Sequence, residues 1–200
     1  MKLSQLLSAP NQLTLLRMLF LPFIVISLVD RHYPMALTLF VLAGLSDGLD
    51  GLLARRLHQQ TLLGQYLDPI ADKLLLSTMF LVLAILHKIP WKYTVMVFSR
   101  DMAILVTSAV LYTIAGLRNF SPSIFGKANT CAQVSAVFFV LLFEVKHLRA
   151  VWIARTVLLW ATFAFTAISW VHYAFLVQTR LRTQHDAEHG PQPSSKKQVA

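Results

Sequence analysis

Residues 46–75 read SDGLDGLLARRLHQQTLLGQYLDPIADKLL and set Asp47, Asp50, Asp68 and Asp72 between two long apolar runs. The chain has only nine acidic residues in all, so this concentration demands a physical reason. A carboxylate at the centre of a membrane helix costs about 2.5–3.5 kcal/mol on insertion scales. Four of them within such a short span call for a compensating cation or a pool of water.

The spacing shows how the four can meet. In a helix over residues 35–55, Asp47 and Asp50 stand three apart on one face, with Gly51 and Ala54 continuing it. That face is acidic and nearly free of bulk. In the following helix Gly64, Asp68 and Asp72 recur every four residues and form a second stripe. The polar segment from Arg55 to Leu63 reads as the turn that folds the two helices antiparallel, so that both stripes face each other near one membrane surface.

Four converging carboxylates raise one another's pKa and cannot all stay ionised without cations. Two divalent ions would neutralise them, and Mg²⁺ or Mn²⁺ are the hard cations that prefer oxygen ligands and serve displacement at phosphorus. The glycines and Ala54 leave backbone room for a phosphorylated ligand, and Arg55 offers a bidentate phosphate partner. The residues describe a metal-dependent site for phosphate chemistry at a membrane face.

Composition sets the class. The chain has 200 residues, 56% of them hydrophobic and 14% charged, with mean hydropathy +0.59. These values predict an all-α polytopic membrane protein of one domain. The net charge of +9 is scattered among apolar spans, which argues for anionic lipid and phosphorylated substrates and against nucleic acid. The single cysteine, Cys131, excludes an intrachain disulfide.

Hydropathy predicts six transmembrane helices, Leu13–Val29, Met35–Arg55, Tyr66–His87, Trp91–Ala115, Phe125–Glu144 and Val151–Val177, preceded by a short interfacial helix over residues 1–10. Residues 1–178 make the membrane domain and residues 179–200 read as a polar disordered tail. No small-x-small cleavage site follows the first apolar run, so it is expected to stay in the protein. The face bearing Lys2, Arg17, Arg55, Arg56, Arg118, Lys127, Arg180, Arg182, Lys196 and Lys197 outweighs the one bearing Arg31, Lys88, Lys92, Lys146, Arg149 and Arg155. By the positive-inside rule both termini and the aspartates then face the cytoplasm.

The pattern Asp47-x2-Asp50-Gly51-x2-Ala54-Arg55-x8-Gly64-x3-Asp68-x3-Asp72 resembles the complete signature of the CDP-alcohol phosphatidyltransferase family. The resemblance implies an integral enzyme, expected in a bacterial inner membrane and as a homodimer. Such an enzyme moves a phosphatidyl group from CDP-diacylglycerol to an alcohol and releases CMP. It further implies that Asp47, Asp50, Asp68 and Asp72 hold the two metals and that Asp72 is also the general base. Asp50, Gly51, Ala54, Arg55 and Gly64 would line the CDP-diacylglycerol site. Arg100 and Lys127, with Arg118, would take an acceptor phosphate.

The acceptor is less sharply marked. Asn11, Thr14 and Arg17 stand three apart on the first helix and resemble positions in family members that make phosphatidylglycerophosphate; a capping Asn and a snorkelling Arg account for them too. Many of those members carry Arg-Glu where this chain has Arg100-Asp101, and a further basic residue about two turns on, where this chain has only apolar and small ones. Lys127-x-Asn129-Thr130 resembles the cardiolipin synthases at least as closely. Glycerol-3-phosphate is therefore the expected acceptor, with phosphatidylglycerol the alternative. Intramembrane carboxylates also mark ion-coupled transporters, but this chain lacks the internal repeat those commonly show.

Overall fold

The computed structural model describes the backbone of residues 9–57, 62–115 and 124–189, and side chains over residues 18–46, 73–103 and 126–170, Lys127 excepted. The described residues form six helices and no strand: α1 (Ala9–Val29), α2 (Tyr33–Leu57), α3 (Leu62–Ile85), α4 (Trp91–Ala115), α5 (Ile124–Lys146) and α6 (Arg149–His189). The all-α expectation holds. The expected interfacial segment falls almost wholly outside the described residues, as do Arg118 and its neighbours in 116–123.

Three tight turns lie at one end of the bundle, and the first two are built alike. After α1, His32 N–H donates to Ser27 at 2.8 Å and Arg31 N–H to Leu28 at 3.0 Å, with Arg31 at φ 58°. After α3, Lys88 N–H donates to Leu83 at 2.8 Å and His87 N–H to Ala84 at 3.0 Å, with His87 at φ 57°. This pairing satisfies the last carbonyls of each helix around a left-handed residue, a place usually given to glycine. After α5 the ending is simpler: His147, at φ 50°, donates its N–H to the Phe143 carbonyl at 2.9 Å, a single bond around the left-handed residue.

The turns are tied together by charge. Lys88 Nζ donates to Glu144 of α5 at 2.5 Å and lies 5.1 Å from the centroid of the Tyr33 ring at the start of α2. Arg155 of α6 donates to the Lys88 carbonyl at 2.7 Å. Three helices and a turn thus meet in one knot. The halves of α2 and α3 that carry the aspartates run away from it.

Helical spacing explains the core. Ala36, Phe40 and Ala43 on α2, Leu76, Phe80 and Leu83 on α3, and Ala132, Ala136 and Val140 on α5 repeat every three or four residues and are buried. α1 packs on both α2 and α3, and α6 covers α4 and α5. Tyr93, Trp160 and Phe163 meet edge to face at centroid distances of 5.9–6.1 Å, closing the α4–α6 contact.

The outer surface is apolar as well. Leu19, Phe23 and Ile26 on α1, Val95, Phe98 and Met102 on α4, and Trp152, Val157 and Trp160 on α6 are exposed. A soluble protein rarely presents so much contiguous apolar surface, whereas a bilayer requires it. Among the described residues, Ala128–Lys146 and Arg149–Trp170 are long and apolar enough to cross a membrane; Met18–Val29, Tyr33–Ser46 and Lys73–Ile85 are shorter apolar stretches. Gly44 faces outward, and an added Cβ there meets nothing within 4 Å.

Two boundaries differ from the hydropathy reading. α2 and α3 extend to Leu57 and from Leu62, shortening the expected Arg55–Leu63 turn. α6 continues past Val177 to His189, where a disordered tail was expected from residue 179. The segment QTRLRTQHDAEH is polar but made of residues that tolerate a helix, and the first Gly-Pro pair comes only at Gly190-Pro191. The polar composition of this segment does not end the helix.

Candidate active site

α2 carries Asp47, Asp50, Gly51, Ala54 and Arg55, and α3 carries Gly64, Asp68 and Asp72. Both segments are helical, so the three- and four-residue spacings read from the sequence do correspond to turns of helix. α3 runs on through Pro69. The side chains of these eight residues, of Asn11, Thr14 and Arg17 on α1, and of Lys127 in the first turn of α5 lie outside the described residues. Among the described residues no group of three His, Cys, Asp or Glu gathers as a metal site. The donor set expected to hold metal is all carboxylate oxygen, which suits a hard divalent cation.

Beyond Asp72 the polar chemistry continues. Lys73 Nζ donates to Asp101 Oδ1 on α4 at 2.6 Å, and Arg100 Nη1 donates to the same oxygen at 2.8 Å. Arg100 is 4% exposed and Asp101 1%. On its other side Arg100 reaches α6, with Nε and Nη2 both 3.3 Å from Ser169 Oγ. The Arg100–Asp101 pair is therefore part of a cluster that draws in α3 and α6.

From Ser169 the seam passes between α5 and α6. Thr166 Oγ1 donates to Asn129 Oδ1 at 3.0 Å. These helices run antiparallel, so four residues along α5 and four back along α6 bring Gln133 opposite Thr162. All four side chains are fully buried. Asn129 Nδ2, both polar atoms of Gln133 and Thr162 Oγ1 find no hydrogen-bond partner among the described residues.

Of the expected acceptor residues, Arg100 is brought into this buried cluster and Arg118 falls outside the described residues. Sequence reading missed the link from Lys73 to Asp101, the Ser169 contact and the burial of Gln133 and Thr162. The signal was present on α6, where Thr162, Thr166 and Ser169 repeat at four and three residues within an apolar run.

Comparison with known proteins decides the family. The CDP-alcohol phosphatidyltransferase profile matches residues 7–168. The chain belongs to the CDP-alcohol phosphatidyltransferase family. Among phosphatidyltransferase relatives, the Bacillus subtilis CDP-diacylglycerol–glycerol-3-phosphate 3-phosphatidyltransferase is 31% identical over 182 residues, covering 82% of this chain and 93% of that protein. Its Aquifex aeolicus namesake is 30% identical over 173 residues, covering 84% and 94%. Human cardiolipin synthase (CMP-forming) is 32% identical over 187 residues, which span 82% of this chain and 60% of the human protein.

The matched range contains the whole Asp47–Asp72 signature together with Arg100, Asp101 and Asn129. Ser169 lies just past its end. Apolar helices and membership in this family of transferases agree with a membrane protein.

Proposed function

We propose that this chain transfers the phosphatidyl group of CDP-diacylglycerol to glycerol-3-phosphate, giving phosphatidylglycerophosphate and CMP. The observation that carries the reading is the eight-residue signature on α2 and α3, within a chain related to transferases of that name. Asp47, Asp50, Asp68 and Asp72 would hold two divalent cations, Mg²⁺ or Mn²⁺, which when bound offset pyrophosphate charge and favour CMP as leaving group. Asp50, Gly51, Ala54, Arg55 and Gly64 bind the nucleotide and its phosphates. Asp72 takes the proton of the acceptor hydroxyl as its oxygen bonds to phosphorus and the phosphorus–oxygen bond to CMP breaks.

Arg100 and Lys127, with Arg118, receive the acceptor phosphate through charge-assisted contacts. Asn11, Thr14 and Arg17 border the substrates. The enzyme works as a homodimer in a bacterial inner membrane with its site open to the cytoplasm; the distribution of Lys and Arg supports that orientation. Purified protein supplied with CDP-diacylglycerol and Mg²⁺ should release CMP when glycerol-3-phosphate is added, and Lys127→Ala should weaken the acceptor far more than the nucleotide lipid. A second reading, cardiolipin synthesis from phosphatidylglycerol, is favoured by the likeness to human cardiolipin synthase. CMP release with phosphatidylglycerol alone, and cardiolipin as product, would establish it in place of the first.

A further inference from the structure

Asp101 sits at the centre of a charge cluster joining three helices. Its Oδ1 accepts from Lys73, the residue after Asp72, and from Arg100, while Oδ2 has no partner among the described residues. Lys73 and Arg100 both donate to one carboxylate oxygen, on a side chain that is 1% exposed. Arg100 uses three of its five N–H groups on Asp101 and Ser169. Its plane is thereby fixed between α4 and α6.

We propose that Asp101 is a positioning residue of the transfer site. It holds the Arg100 guanidinium against Ser169 and anchors Lys73, so that the turn of α3 ending in Asp72 and the cation on α4 keep one spacing. The inference rests on the reading that Arg100 takes the acceptor phosphate. Asparagine at this position keeps the shape but loses the negative charge, and two cations that share one oxygen at 2.6 and 2.8 Å would then repel and part. Arg100 would leave Ser169, and the acceptor would lose its registration with Asp72.

The test compares Asp101→Asn, Asp101→Glu, Ser169→Ala and Arg100→Gln in purified full-length protein, reading kcat, the KM of each substrate and thermal stability, with the acceptor that supports CMP release. Asp101→Asn should raise the acceptor KM about tenfold to a hundredfold. The KM for CDP-diacylglycerol should stay within about twofold. Asp101→Glu, which keeps the charge, should recover most of the loss, and Ser169→Ala should shift the acceptor KM in the same direction by less. An Asp101→Asn enzyme with an unchanged acceptor KM, or with both KM values raised alike, overturns the inference if Arg100→Gln raises the acceptor KM. If Arg100→Gln leaves that KM alone, the acceptor reading itself fails. Should Asp101→Asn not fold, an unmoved acceptor KM in Ser169→Ala overturns the inference.

Discussion

Lys88 and Glu144 meet at 2.5 Å across the end of the bundle opposite the aspartate-bearing halves of α2 and α3. The Glu144 side chain is 8% exposed and that of Lys88 28%, so the pair is shielded enough to matter and open enough to avoid the full cost of burying charge. The Glu144 hydrogen bond is the largest influence on Lys88 and raises its pKa above the ordinary 10.5, against a burial effect that lowers it.

A raised lysine pKa in the folded protein means that the pair's contribution is fully present below the unfolded value and fades as pH climbs through the folded one. Glu144→Gln should therefore cost on the order of 1–2 kcal/mol near neutral pH. On the alkaline side the gap between variant and wild type should narrow above the ordinary lysine value of 10.5. Unfolding in detergent micelles at several pH values checks this, and a gap that closes between pH 5 and 8 would contradict it.

The seam between α5 and α6 predicts opposite outcomes for neighbouring side chains. Asn129 is bonded to Thr166, so Asn129→Leu orphans a buried hydroxyl and should cost about 0.6–1.7 kcal/mol, between the average and the maximum for interhelical hydrogen bonds in a membrane protein. Gln133 has no partner among the described residues, so Gln133→Leu should be neutral or stabilising by about 1 kcal/mol. Thermal denaturation of the two variants side by side decides it. A Gln133→Leu protein as unstable as Asn129→Leu would mean that ordered water satisfies the glutamine.

What the sequence made legible follows physical range. The α1–α2 and α3–α4 turns were visible because Asp30–Pro34 and HKIPWK interrupt apolar runs, and a local interruption needs no tertiary knowledge. The Asp47–Asp72 spacing was visible for the same reason, since both stripes are periodicities within single helices. The length of α6 was misjudged at Val177 because hydropathy reports the membrane and not the helix. Arg100 was read beside its chain neighbour Asp101, but Lys73 and Ser169 come from other helices. No pattern near Arg100 encodes them; only the packing of α3, α4 and α6 does.

The nucleotide site predicts a split in kinetics. If Gly51 leaves room for the cytidine phosphates, Gly51→Leu fills that volume, while leucine propagates a helix better than glycine by roughly 0.5–1 kcal/mol. The variant should fold at least as well as wild type and show a strongly raised KM for CDP-diacylglycerol. Circular dichroism with substrate titration measures both, and an unchanged KM would put the nucleotide elsewhere.

Asp72 separates charge from proton transfer. As a metal ligand it shares its work with Asp47, Asp50 and Asp68, so Asp72→Asn should keep part of the binding of CDP-diacylglycerol. As the base it stands alone, because an amide does not take the acceptor proton near neutral pH, and general-base removal costs typically 10²–10⁴-fold in rate. The expected variant therefore binds the nucleotide lipid with reduced affinity and releases almost no CMP on adding acceptor. Chelation of the wild type acts on all four carboxylates at once and should abolish both binding and turnover, with Mg²⁺ or Mn²⁺ restoring them. Binding measured by titration calorimetry, beside CMP release in the same preparations, distinguishes the two losses. Wild-type turnover in Asp72→Asn would assign the proton to another group, and turnover that survives exhaustive chelation would remove the cations from the reading altogether.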